Sequence, residues 1–87
     1  MDRMPATPVD PRGPVLAYRQ VAADLEARIA SREFAPGDRL PSERDLAGEY
    51  GCAYDTVRRA TAVLRGDGLI ITVHGRGTYV AVHPVED

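Results

Sequence analysis

The apolar positions of this chain change their period along its length, and the changes mark its elements. Between about Val15 or Ala17 and Ser31, Val21, Leu25 and Ile29 recur every fourth residue, with Tyr18, Ala22 and Ala30 widening the stripe. That pattern is one buried face of a helix. "EFAPGDRLP" interrupts it: Pro36-Gly37 is a turn signal, and Arg39-Leu40 leaves room for only a very short strand. A second helix is predicted from "PSERD", with Ser42 as N-cap, Asp45 three residues on in the manner of a capping box, and Leu46, Ala47 and Tyr50 facing inward. Gly51 ends it. A third helix is predicted over roughly Tyr54 to Arg65, because Val57, Ala60, Thr61 and Leu64 fall at i, i+3, i+4 and i+7; Gly66 and Gly68 stop it. The period then falls to two. "LIITV" and "TYVAV" predict a hairpin whose tip is His74, Gly75, Arg76 and Gly77.

Three helices pack with a two-stranded hairpin only if the hairpin covers one side of the trio. The predicted fold is therefore mainly α with a small β-hairpin, the winged-helix arrangement, over residues 15–83. Ala47, Gly51 and Val57 stand at offsets of four and ten, the spacing of a helix-turn-helix. Ala47 is small where the next helix crosses, Gly51 turns the chain, and Val57 fills the gap between the helices. Residues 1–14 carry Pro5, Pro8, Pro11 and Pro14 at a spacing of three and read as a disordered or polyproline-like arm; 84–87 read as a tail. A PxxP ligand is the less favoured reading of the arm.

Composition narrows the class. The chain has 87 residues, room for one small domain and a poor host for a deep catalytic cleft. Its single cysteine, Cys52, excludes an internal disulfide and a cysteine-based zinc site, and the lack of a disulfide framework fits a reducing compartment. The two histidines are far apart, so no metal or other cofactor is expected. No apolar run is long enough to span a membrane, and no signal-peptide core stands at the start, so the expected location is the cytoplasm.

The net charge of -2 is less informative than its distribution. All 11 basic residues are arginine. From Thr56 to Val82 there are four (Arg58, Arg59, Arg65, Arg76) against one acid, Asp67, whereas Asp24 to Asp55 hold eight acids and four arginines. One end of the domain is basic within an acidic chain. On the third helix, Tyr54, Arg58 and Arg65 fall in one sector, a quarter turn from the core stripe. Arginine there can grip phosphate or read guanine with two hydrogen bonds. Asp55 and Arg59 are spaced to pair with each other. At the hairpin tip, glycines allow close approach of the backbone, and Arg76 suits a narrow, strongly negative minor groove.

"LPSERDLA", "TVRRA", "DGLI" and "HGRGTYV" follow in order at separations that resemble the N-terminal DNA-binding domain of the GntR family of bacterial transcription regulators, over about Tyr18 to Val82. The resemblance implies a winged helix-turn-helix that binds double-stranded operator DNA, as a repressor, and usually as a homodimer on a near-palindrome. It implies DNA contacts for Arg44, Thr56, Arg58, His74, Gly75 and Arg76, and with Ser42, Tyr54, Asp55 and Arg59 beside them these make up the expected DNA-facing set. Two positions depart from the family's "Gly-Val-Ser-Arg". Ala53 removes the serine N-cap, a loss on the order of 1 kcal/mol, which Asp55 partly offsets through the helix dipole. Tyr54 replaces a base-reading arginine. Cys52 takes an apolar turn position, and a redox-sensing role for it is disfavoured. Family members continue into an effector-binding, dimerising domain, so a small-molecule effector is expected only with such a further domain, and the chain reads as either an excised domain or a short stand-alone regulator. By itself it is expected to be a monomer, or to associate only weakly. No catalytic motif is present. The rival reading is a winged-helix protein-interaction module that has lost DNA binding.

Overall fold

The computed structural model describes residues 8–13 and 15–82. The elements run α1 (Ala17–Ala30), α2 (Glu43–Tyr50), α3 (Tyr54–Gly66), β1 (Ile70–Val73) and β2 (Gly77–Val80). The two strands form one antiparallel sheet in which Ile70 faces Val80 and Val73 faces Gly77. This is the expected winged helix-turn-helix.

A single core joins all five elements. Val21 and Leu25 of α1, Leu46 and Tyr50 of α2, Val57, Ala60 and Leu64 of α3, and Ile70 and Val80 of the hairpin are buried together with Phe34 and Leu40. The stripe on α1 stands as expected at Val21, Ala22 and Leu25 and departs only in the last turn. Ala30 is exposed, Ile29 is only half-buried, and Arg28 is buried instead, at 6% exposure. A charge survives there because it is satisfied on every side. The guanidinium donates twice to Glu33 Oε2, at 2.7 and 2.9 Å, and once to the Tyr50 hydroxyl at 3.0 Å. Glu49 stands 3.5 Å away, and the Phe34 ring centroid lies 4.5 Å from its central carbon. The Tyr50 hydroxyl donates its own proton to Asp24 at 2.5 Å. Burial works against the charge on Arg28, but the bonds to Glu33 and Tyr50 more than offset it and hold its pKa above the ordinary value.

The α2–α3 corner follows the sequence closely. Ser42 caps α2 by accepting the Asp45 N–H at 3.1 Å, and Gly51 takes φ +64°, the left-handed conformation that favours glycine. Ala53 heads α3 with no side-chain cap.

The hairpin is tied to the segment before α2 as well as to α3. Leu40 N–H donates to Thr78 C=O at 2.8 Å, Val80 N–H to Asp38 C=O at 2.8 Å and Gly37 N–H to Val80 C=O at 2.9 Å. The very short strand expected at Arg39 is a single bridge to Tyr79.

Residues 8–13 of the proline-rich segment are mostly exposed but tied to the domain at Val9 and Asp10, where the expected arm has no attachment. Val9 rests on the core and donates its N–H to the carbonyl of Tyr50 at 3.0 Å, one of the acceptors left open at the end of α2. Gln20 then clasps Asp10, its amide oxygen accepting the Asp10 N–H and its NH2 donating to the Asp10 carbonyl, both at 2.8 Å. The sequence shows no apolar periodicity there because one side chain and a few backbone bonds hold the segment. The arm over 1–7 and the tail over 84–87 lie outside the described residues.

Candidate nucleic-acid interface

The outward face of α3 meets the N-terminal turn of α2, and the exposed arginines converge there. Tyr54, 41% exposed, is the hub. The guanidinium carbon of Arg44 lies 5.3 Å from its ring centroid and that of Arg58 lies 6.0 Å away, within cation–π range. Each arginine therefore has a surface to rest on rather than a free range of rotamers. Arg39 and Arg65 line the same open groove, between α2, α3 and the hairpin, with Thr72, Gly77 and Thr78 on its far wall. Arg65 Nε donates to Thr72 Oγ1 at 3.0 Å, so the last turn of α3 is pinned to β1.

One acid sits inside this basic groove. Glu43 accepts the Thr61 hydroxyl at 2.7 Å through Oε2 and the Tyr54 hydroxyl at 3.3 Å through Oε1. Thr61 is buried at 2% exposure, so a chain of bonds runs from the core through Glu43 to the exposed ring.

The remaining expected residues are placed as follows. Ser42 is exposed but its hydroxyl is engaged as the α2 cap. Thr56 is half-buried in the first turn of α3. The expected Asp55–Arg59 pair is replaced: Asp55 stands 3.7 Å from Arg58, both side chains well exposed. Arg59 turns instead toward α1, its guanidinium carbon 4.4 Å from the Tyr18 ring centroid. The aromatic face draws it away from an acid that a neighbouring arginine already neutralises. An ion pair as exposed as Asp55–Arg58 contributes little to stability, so Arg58 is readily released to a stronger anion.

At the wing tip, His74, Gly75 and Arg76 are all exposed, and Arg76 N–H closes the turn onto Val73 C=O at 2.9 Å. The tip is not gathered into the groove. Arg76 lines a shallow depression with Ile71, Val73 and Tyr79, the strand positions that alternate with Thr72 and Thr78.

Three charged residues of the groove fall outside the expected DNA-facing set: Arg39, Glu43 and Arg65. Arg65 shares the helical sector of Tyr54 and Arg58, so periodicity alone points to it. Arg39 is placed by β2. Gly77 has φ +135°, and a Cβ there would lie 2.7 Å from Arg39 Nε, so the arginine runs directly across the glycine. Glu43 is readable only once α2 and α3 are set side by side. Cys52 is half-buried, and burial pushes its thiol above the ordinary value, which disfavours the reactive thiolate. Among the described residues no cluster of potential ligands could hold a metal ion, and no helix is long and apolar enough to cross a membrane.

Comparison with known proteins agrees with this fold. Residues 17–80 match the model of the bacterial regulatory proteins of the gntR family. The HTH-type transcriptional repressor NagR of Bacillus subtilis is 35% identical over 78 residues, which cover 90% of this chain. This chain spans 32% of that repressor's length. Among solved structures, YtrA from Sulfolobus acidocaldarius, a GntR-family transcription factor, superposes with a TM-score of 0.80 at 33% identity, covering 91% of this chain and 83% of that one. AraR(DBD) in complex with operator ORX1 gives a TM-score of 0.75 at 30% identity, covering 86% and 96%. The family model takes in α1, the α2–α3 corner and the wing together, and the chain belongs to the gntR family of bacterial regulatory proteins.

Proposed function

We propose that this chain is the operator-binding part of a cytoplasmic transcription repressor, with α3 in the major groove of duplex DNA and the wing at the adjacent minor groove or its phosphates. The observation that carries the reading is the convergence of Arg44 and Arg58 on Tyr54, with Arg44 in one groove with Arg39 and Arg65 and Arg58 in the depression that adjoins it. Three arginines in one groove, with Arg58 and Arg59 in the depression that adjoins it, are an electrostatic footprint for a polyanion on an otherwise acidic chain. The relative AraR(DBD), solved on its operator, supports it. Arg44 and Arg58 are assigned to base edges or phosphate, Thr56 and the Ser42 turn to the backbone, and His74, Gly75 and Arg76 to the wing contact. Arg59, held on Tyr18, is a flanking phosphate contact, and Asp55 restrains Arg58 until DNA arrives. Two copies are expected to meet on a near-palindrome, and a small-molecule effector is expected only if the whole protein has a further domain.

The test is a titration of duplex fragments selected from genomic DNA, over a range of salt. Removing one arginine–phosphate interaction should flatten the log–log salt slope by about 0.9. Arg39→Ala and Arg76→Ala should each do so evenly across sequences, whereas Arg58→Ala should also lose roughly 1–3 kcal/mol of preference at one base pair. No binding at low salt would refute the proposal and favour a protein-interaction module.

A further inference from the structure

The hydroxyl of Tyr54 is not free to read any base it meets. A tyrosine hydroxyl has one proton and can also accept, and an ionised carboxylate can only accept. In the contact with Glu43, long for such a bond at 3.3 Å, the proton of Tyr54 points to Oε1. Glu43 is anchored through its other oxygen, which takes the 2.7 Å bond from the buried Thr61, the shorter of the two contacts open to that hydroxyl beside the Arg58 carbonyl at 3.1 Å. The ring is held on its own account by Arg44 and Arg58. What remains exposed at the hydroxyl is acceptor capacity alone.

From this we infer that Tyr54 is a specificity-determining residue that accepts a hydrogen bond from an exocyclic amine in the major groove, adenine N6 or cytosine N4, and that Glu43 is the positioning residue that fixes its polarity. The inference rests on the reading of α3 as the element in the major groove. Each base pair presents one such amine there, on one strand, opposite an acceptor: thymine O4, or guanine O6. An acceptor-only hydroxyl therefore distinguishes the two orientations of a base pair, because on the wrong strand it meets oxygen with oxygen. Arginine, which only donates, has the opposite preference. The acid inside the basic groove thus has a role that general phosphate attraction does not explain: it weakens binding to any duplex and sharpens one position.

The experiment is selection from randomised duplex DNA by the whole chain and by Tyr54→Phe, which keeps the ring and its arginine contacts and removes only the hydroxyl. One base-pair column should lose roughly 2- to 10-fold of its discrimination in the variant, the worth of one hydrogen bond. At that column, adenine is then replaced by purine, or cytosine by 2-pyrimidinone, each lacking the amine. The replacement should weaken the wild type by a similar factor and leave Tyr54→Phe nearly unchanged. Glu43→Gln retains an acceptor for Thr61 but can donate as well as accept toward Tyr54. It should lose discrimination at the same column while binding bulk DNA more tightly. An equal loss from amine removal in wild type and Tyr54→Phe would overturn the inference, as would full discrimination in Glu43→Gln. If the wild type enriches no sequence at all, recognition by α3 fails and this inference falls with it. If it enriches a site that Tyr54→Phe reads identically at every column, only the assignment to Tyr54 fails.

Discussion

Replacing Tyr50 with phenylalanine removes a single oxygen from the middle of the core. That oxygen accepts from Arg28 at 3.0 Å and donates to Asp24 at 2.5 Å, and Tyr50 itself is 1% exposed. A hydrogen bond to a charged group is worth about 1.5–3 kcal/mol. The two losses do not simply add. Asp24 is partly exposed and can turn to water, and Arg28 keeps its two bonds to Glu33. The expected cost is therefore one such bond, about 1.5–3 kcal/mol. In a domain of this size it lowers Tm by roughly 6–20 °C. Urea unfolding at neutral pH should show a lower midpoint with an unchanged slope, since the surface exposed on unfolding is nearly the same. The pH dependence gives a second, independent check. Burial, and then the bond to Asp24, raise the Tyr50 pKa well above the ordinary range, against the opposing pull of Arg28. The folded state thus keeps a proton that an unfolded tyrosine gives up from about pH 10 upward. Stability from this source is complete below about pH 10 and drains away as pH rises beyond it. The difference between wild type and Tyr50→Phe should accordingly shrink with alkalinity. An identical midpoint at neutral pH, or a difference that grows above about pH 10, would refute the account of the network.

Two further outcomes follow from the groove. Gly77→Ala forces a side chain onto φ +135° and into the path of Arg39. The guanidinium can move aside, so backbone strain of about 1–3 kcal/mol dominates the stability loss, read by thermal unfolding, and the displaced Arg39 should weaken DNA binding beyond what the stability loss explains. Asp55→Asn frees Arg58 and removes a negative charge beside the proposed phosphate path. It should tighten binding to DNA of any sequence in a low-salt titration while costing about 0.3–1 kcal/mol of stability, because an acid at the start of α3 complements the helix dipole; weaker binding would show that Asp55 positions Arg58 rather than restrains it.

The sequence and the structure agree where one local rule decides the outcome. Ser42, Gly51, the core positions of α3 and the hairpin all follow from capping, a positive φ or a repeat period, and each stands where that rule puts it. They part where several distant groups decide together. Arg28 reads as a polar residue beside the stripe of α1, and its burial depends on Glu33, Glu49 and Tyr50, which no period connects. Spacing pairs Arg59 with Asp55, yet a ring on another helix holds it. Residues 8–13 carry no helical or strand pattern, and a backbone bond to Tyr50 and the side-chain amide of Gln20 hold them. At the candidate interface the exposed arginines are legible as charge, whereas their arrangement around Tyr54 is not, because Glu43 lies 11 positions away from the hydroxyl it receives.

The three backbone bonds between β2 and residues 37–40 have a mechanical meaning. A wing joined to its domain only through the turn after α3 would swing like a flap and follow whatever groove it met. This one is laced to the stretch that leads into α2, and Arg65 laces α3 to β1 from the other side. The span from recognition helix to wing is therefore a fixed gauge, like the jaws of a caliper. A duplex that engages both jaws has to bring its own groove width to that gauge. Sequences that are already narrow, or that narrow cheaply, gain affinity at base pairs no side chain touches.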